Sequence, residues 1–263
     1  MVKYASVSKQ GDRPVNEDSV GALERGGNLL FALADGLGGH GGGDIASALA
    51  VSKVMEIFEA SPENVDLAQC FMGSQNALLN EQRRRGLPGE MKTTLILLWI
   101  GGNTAKWGYI GDSRLYLFNG GKLSARTKDH SVPQMLVNAG EIREKDIRFH
   151  PDRNRLLRVM GTEWDSIKFE LDDLNISPGM SFLLCSDGFW ELIDEKDVCR
   201  ALKTAHTPEE WLSGMEQKVS RNGKGRDMDN YSAIAVWIRA ERPLFGRSDT
   251  DGSNAGYTRG LRV

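Results

Sequence analysis

The chain has 263 residues, 40% hydrophobic and 26% charged, which fits one globular domain and excludes a fibrous or wholly disordered protein. Its 33 basic and 36 acidic residues leave a net charge of -3, too little positive field to draw in a nucleic-acid backbone or an anionic membrane. The longest apolar run, Leu95 to Ile100, is far short of the ~20 residues that cross a bilayer, and the first residues lack the apolar stretch of a signal peptide, so a cytoplasmic protein is expected. Cys70, Cys185 and Cys199 are odd in number and lack metal-ligand spacing, which reads as buried free thiols.

Asn28 to Asp35 is a compact apolar run stopping at Asp-Gly, the pattern of a buried strand that leaves a carboxylate at its end. Glycines follow as far as Asp44, which is a candidate N-cap for a helix over Ile45 to Glu59. A second helix has Leu67, Phe71 and Leu78 on its buried face and Glu81 to Arg85 at its wet end. From Thr93 four strand-like segments, TTLILLWI, AKWGYIGD, RLYLF and KLSART, predict an antiparallel meander turning at Asn103 and Gly120-Gly121. Ser131 to Gly161 reads as a charged excursion from the sheet. Strands are predicted over Ser166 to Leu174 and Met180 to Asp187, helices over Asp194 to Ala205 and Pro208 to Arg221 with Thr207 as a cap, and a last strand over Tyr231 to Ala240. The domain is thus expected to span 1–240, with a Gly-, Ser- and Asp-rich tail over 241–263 too poor in apolar residues to order.

Four aspartates meet a turn at the end or start of a strand: Asp35, Asp112, Asp187 and Asp229. Asp-Gly is a common turn pair, and any one of these alone is best read as a capped turn. Together, each beside a strongly apolar strand, they could be gathered at one sheet edge, and such a cluster of oxygen donors suits magnesium or manganese. Near the start, RPVNED supplies Arg13, whose planar fork can hold two phosphoryl oxygens, with Glu17 and Asp18 close by. Gly36 to Gly41 also satisfies G-x-G-x-x-G, but a second helix stands where the dinucleotide fingerprint requires a parallel strand. Asp249 to Gly252 resembles a calcium loop, yet its glycine comes early and no glutamate closes it.

In order along the chain, RPVNED, ADGLGGHGGGDIAS, KTTL, GDSRLYL, DHS, NRLLRVMG, LCSDGFWE and DNYSAIAV resemble the motifs of the metal-dependent protein phosphatases of the protein phosphatase 2C family, in their bacterial form. The resemblance implies an α+β fold, a four-layer α-β-β-α sandwich with two central, mostly antiparallel sheets. It implies a serine/threonine phosphatase acting on phosphoproteins opposite a kinase, by direct attack of a metal-bridging hydroxide on phosphorus. By motif position, Asp35 would bridge two Mn2+ or Mg2+ ions with the Gly36 carbonyl as a further ligand. Asp187 and Asp229 would hold the first ion, Glu17 and Asp18 the second mostly through water, and Asp112 with Asp187 a third, weaker one. Arg13 would steady the phosphate. His40 would protonate the leaving group, although Leu37 holds the place directly after Asp-Gly where eukaryotic relatives carry the acid histidine. The stretch about 131–161 corresponds to the family's variable flap. A monomer without nucleic-acid or membrane partners is expected. The alternative weighed is a pseudophosphatase or phosphoprotein-binding module of the same fold, against which every expected metal carboxylate is retained.

Overall fold

A computed structural model describes residues 1–38, 41–63 and 65–240. The first strand, β1 (Val2–Lys9), is followed by β2 (Asp18–Arg25) and β3 (Asn28–Leu37), then by helices α1 (Gly43–Ala60) and α2 (Leu67–Arg85). After a short β4 (Lys92–Thr93) come β5 (Leu95–Gly101), β6 (Thr104–Ile110), β7 (Arg114–Asn119) and β8 (Lys122–Arg126). The last part holds α3 (Val132–Asn138), a 3-10 turn at Glu144–Phe149, β9 (Glu170–Asn175), β10 (Met180–Cys185), α4 (Asp187–Trp190), α5 (Glu195–Thr204), α6 (Pro208–Gly223) and β11 (Tyr231–Ile238). None of the helices described is long and apolar enough to cross a membrane.

The strands form two antiparallel sheets, β1-β11-β10-β7-β8 and β2-β3-β5-β6-β9, with β4 beside β3. Because side chains alternate across a strand, each central strand serves two cores. Leu29, Phe31 and Leu33 of β3 meet Phe182 and Leu184 of β10 and Ile234 and Val236 of β11 in the layer between the sheets. Leu30, Ala32 and Ala34 face the other way, onto Val54 and Phe58 of α1 and Phe71 of α2. Leu183, Ala235 and Trp237 likewise pack on Trp211, Met215 and Val219 of α6. Three apolar layers separate four structural ones, which is the expected α-β-β-α sandwich. Burial on both faces also explains why the central strands read as unbroken apolar runs.

Several expectations need correction. The meander is not one sheet: β5 and β6 pair in the six-stranded sheet, whereas β7 and β8 pair in the five-stranded one. The chain changes sheet at Gly111, whose φ of 105° takes a left-handed bend open to few other residues. Helix α1 is preceded by Gly42 at φ 86° with no side-chain cap, and Asp44 lies in its first turn. There the carboxylate still favours the positive end of the helix dipole. Strand β9 begins at Glu170, not Ser166, and β10 stops at Cys185, so Asp187 opens the short helix α4. Gln82 lies inside the expected wet end of α2 but is buried, its amide donating to the Met91 and Gly161 carbonyls at 2.9 and 2.7 Å. The predicted tail and His40 lie outside the described residues.

Candidate metal and phosphate site

Strand pairing sets the floor of the site. In the β2–β3 register Asp18 stands opposite Asp35. Asp35 is locked by its neighbours: its N–H donates to Thr94 Oγ1 at 2.9 Å, and its carbonyl accepts from the Thr94 N–H and the Thr93 hydroxyl, both at 2.8 Å. Gly36 follows because nothing larger fits, since a methyl group there would meet the Gly43 carbonyl. At Gly38 it would meet the Glu17 carboxylate.

The other acids arrive from the facing sheet and the switch between sheets. Asp112 follows Gly111, and its carbonyl accepts from the Trp190 indole at 3.0 Å. Asp187 opens α4 beside Ser186, whose hydroxyl donates to Asp18 Oδ2 at 2.8 Å and accepts from the Ser232 N–H at 2.9 Å. Asn230 sews the N-terminal loop to the start of β11: its amide donates to the Gln10 and Val15 carbonyls at 2.6 and 2.9 Å, and its oxygen accepts from the Glu17 N–H at 2.8 Å.

One pocket of 620 Å³ results, lined by Arg13, Glu17, Asp35, Gly36, Asp112, Asp187 and Asp229, with Asn154 and Leu156 from the flap. The four strand-end aspartates therefore reach the same hollow. Asp18 does not line it; only 7% exposed, it lies beneath, with Oδ1 lacking any hydrogen-bond partner among the described residues. Arg13 does not point freely into the pocket. Its guanidinium forks onto both oxygens of Asp229, Nε to Oδ1 at 3.0 Å and Nη2 to Oδ2 at 3.1 Å. Asp229 is thereby drawn toward the arginine, and no three acids among the described residues close on one point tightly enough to chelate an ion. The expected ligand sets are neighbours, not formed coordination shells.

The electrostatics ask for cations. Burial, then repulsion from Asp187, Asp18 and Asp112, pushes Asp35 well above the usual carboxylate range. Burial and then Asp187 push Asp112 the same way, and burial followed by Asp229 raises Asp187. Asp18 is pushed up to about 7 by burial, against the opposing influence of the nearby Ser232 and Ser186 hydroxyls. Glu17 is raised by burial and by Asp44. Arg13 is the single cation lining this hollow among the described residues. An all-oxygen donor set, an orphaned buried carboxylate oxygen and mutually repelling acids fit hard divalent ions.

Residues the sequence did not single out hold the arrangement together: Thr94, Ser186, Asn230 and Ser232 behind it, Asn154 and Leu156 in front. Thr94, Asn230 and Ser232 sit inside the motifs KTTL and DNYS, so their signal was adjacency to a site residue. Ser186 lies likewise inside LCSDGFWE, and the flap pair Asn154 and Leu156 inside NRLLRVMG.

The two-sheet sandwich with an acidic pocket at its end is of the metal-dependent phosphatase class. The family model for Protein phosphatase 2C matches residues 7–223, and the chain belongs to that family. The serine/threonine protein phosphatase PstP of Mycobacterium tuberculosis is 33% identical over 215 residues, covering 80% of this chain but only 40% of PstP. The serine/threonine phosphatase stp of Listeria monocytogenes is 31% identical over 231 residues, covering 84% of this chain and 89% of its own length. Among solved structures, the M. tuberculosis phosphatase PstP/Ppp superposes with a TM-score of 0.80 at 29% identity, over 91% of this chain and 99% of that one. The PstP catalytic domain with two manganese ions gives 0.77 at 28% identity, over 91% and 99%.

Proposed function

We propose that this chain hydrolyses phosphoserine and phosphothreonine in proteins, opposite a serine/threonine kinase, with two manganese or magnesium ions as cofactors. The supporting observation is the gathering of Glu17, Asp35, Asp112, Asp187 and Asp229, from five separate segments, around one pocket that also holds an arginine. Asp35 would serve both ions, with the Gly36 carbonyl as a further ligand. Asp187 and Asp229 would hold one ion, Glu17 and Asp18 the other, and Asp112 with Asp187 a weaker third.

Bound there, the ions would supply a hydroxide nucleophile at neutral pH and offset the charge of the phosphoryl group. The chain's own part is to position and to bind. The rigid bonds on Asp35 from Thr93 and Thr94 fix its carboxylate at the strand end, which removes reorganisation from the reaction. The Arg13 guanidinium, which now forks onto Asp229, offers the same two-pronged geometry to two phosphoryl oxygens. Asn154 and Leu156 line the same pocket, where they would meet the substrate.

The test is hydrolysis of a phosphothreonine peptide with and without manganese. Turnover is expected only with the metal, and Asp35→Asn or Asp187→Asn is expected to abolish it while leaving the fold intact by circular dichroism. Metal-independent turnover, or none under any condition, would overturn the reading.

A further inference from the structure

A second hollow of 280 Å³ opens off the acidic pocket and shares with it Arg13, Asn154, Asp187 and Asp229. Its outer part is lined by Arg153, Glu191 and Arg226. Glu191, Leu192 and Arg226 in turn line a groove of 680 Å³ on the far side, so the three hollows form one path across the surface. A peptide whose phosphoresidue sits in the acidic pocket would place a neighbouring residue in the second hollow.

The charges in that hollow are unevenly matched. Asp227 and Asp229 both pair with Arg13, at 3.5 and 3.0 Å. Glu191 is held by Arg153 Nε at 3.0 Å, which leaves both Nη groups of Arg153 without a partner among the described residues. Arg226 is exposed, and its side chain makes no hydrogen bond or ion pair among the described residues, while its backbone N–H is fixed on the Gly223 carbonyl at 2.9 Å. The remaining acid, Asp187, belongs to the proposed metal site, where bound dications would balance it. An unmatched guanidinium beside a second with two free donors is suited to a planar or tetrahedral oxyanion.

We propose that Arg226 and the free Nη groups of Arg153 form a second anion subsite, which binds a carboxylate or a second phosphate on a residue flanking the phosphoresidue of the substrate. The proposal deepens the phosphatase reading and rests on it. The free donors belong to side chains outside the proposed catalytic machinery, so the subsite acts on substrate choice and not on the hydrolytic step.

The experiment compares kcat/KM for three phosphothreonine peptides that differ at the flanking positions, carrying alanine, glutamate or a second phosphothreonine, with p-nitrophenyl phosphate as a substrate too small to reach Arg226. Against the alanine peptide, a gain of about three- to five-fold is expected for at least one anionic peptide, the scale of one partly screened ion pair, and it should shrink in high salt. The arm that gains identifies carboxylate or phosphate as the preferred anion. Arg226→Lys should keep part of the preference and Arg226→Glu should reverse it, both with p-nitrophenyl phosphate turnover at the wild-type level. Equal kcat/KM for all three peptides in the wild type, or a preference that survives Arg226→Glu, would overturn the subsite. Failure of the wild type to turn over p-nitrophenyl phosphate with manganese would overturn the phosphatase reading, and the subsite with it.

Discussion

At the scale of single residues, Arg13 carries the sharpest difference between sequence and structure. The sequence marks it as a phosphate ligand, and the structure pairs it with Asp229 in a two-pronged bond. Both follow from one property, a rigid planar fork that matches any pair of oxygens. If phosphate binding is its task, Arg13→Ala should raise KM for phosphopeptide about ten-fold or more with little change in kcat, the scale of lost charge-assisted hydrogen bonds. Arg13→Lys, which keeps the charge and loses the fork, should fall between. Steady-state kinetics on the three proteins decide it, and an unchanged KM in Arg13→Ala would remove Arg13 from phosphate binding. Asp35 was readable because a local signal, an apolar run ending at Asp-Gly, coincides with its position at the pocket. Asp18 was read as holding the second ion mostly through water; what the sequence did not show is its depth beneath the floor, which depends on Ser186 and Ser232, more than 160 residues away.

At the scale of elements, the bend between β6 and β7 decides where Asp112 points. The Gly111 N–H donates to His130 Nδ1 at 3.1 Å, and the Gly111 carbonyl accepts from the His130 N–H at 2.9 Å. Nδ1 is therefore an acceptor and the ring proton sits on Nε2, facing Glu170 at 3.1 Å and close to Arg158 at 3.4 Å. The ring stacks on Tyr109 at 5.0 Å. Burial, only partly opposed by Glu170, lowers the His130 pKa below the usual 6.5. With the folded value depressed, the unfolded chain takes up the proton first as pH falls. The stability from neutral His130 is thus full above pH 6.5 and is lost through the folded value below it. Thermal melts of the wild type and His130→Gln from pH 7.5 to pH 5 should show a steeper acid-side fall in the wild type, and identical slopes would refute this role. The helices and the central strands were legible because their periods are local. The sheet switch was not, since a hairpin in either sheet has the same alternation and only long-range pairing chooses between them.

At the scale of the whole molecule, the proposed chemistry sits at strand ends and the stability in the layers between. Phe182 of β10 is wholly buried in the layer joining the two sheets, against residues from β3, β7 and β11. Asp187 follows two residues after that strand ends, and its position is set by the Ser186–Ser232 bonds, not by the aromatic ring. Phe182→Ala should therefore cost about 3–5 kcal/mol of stability, as large-to-small changes in packed cores do. The loss should be cooperative, because both sheets share that layer. Well below its lowered melting temperature, the folded variant should retain wild-type metal-dependent kcat, since the strand-end bonds remain. Urea unfolding gives the first quantity and kinetics at low temperature the second. A variant that stays as stable as the wild type yet loses activity would mean that the inner layer positions the acids directly, and would move the boundary between scaffold and site into the core.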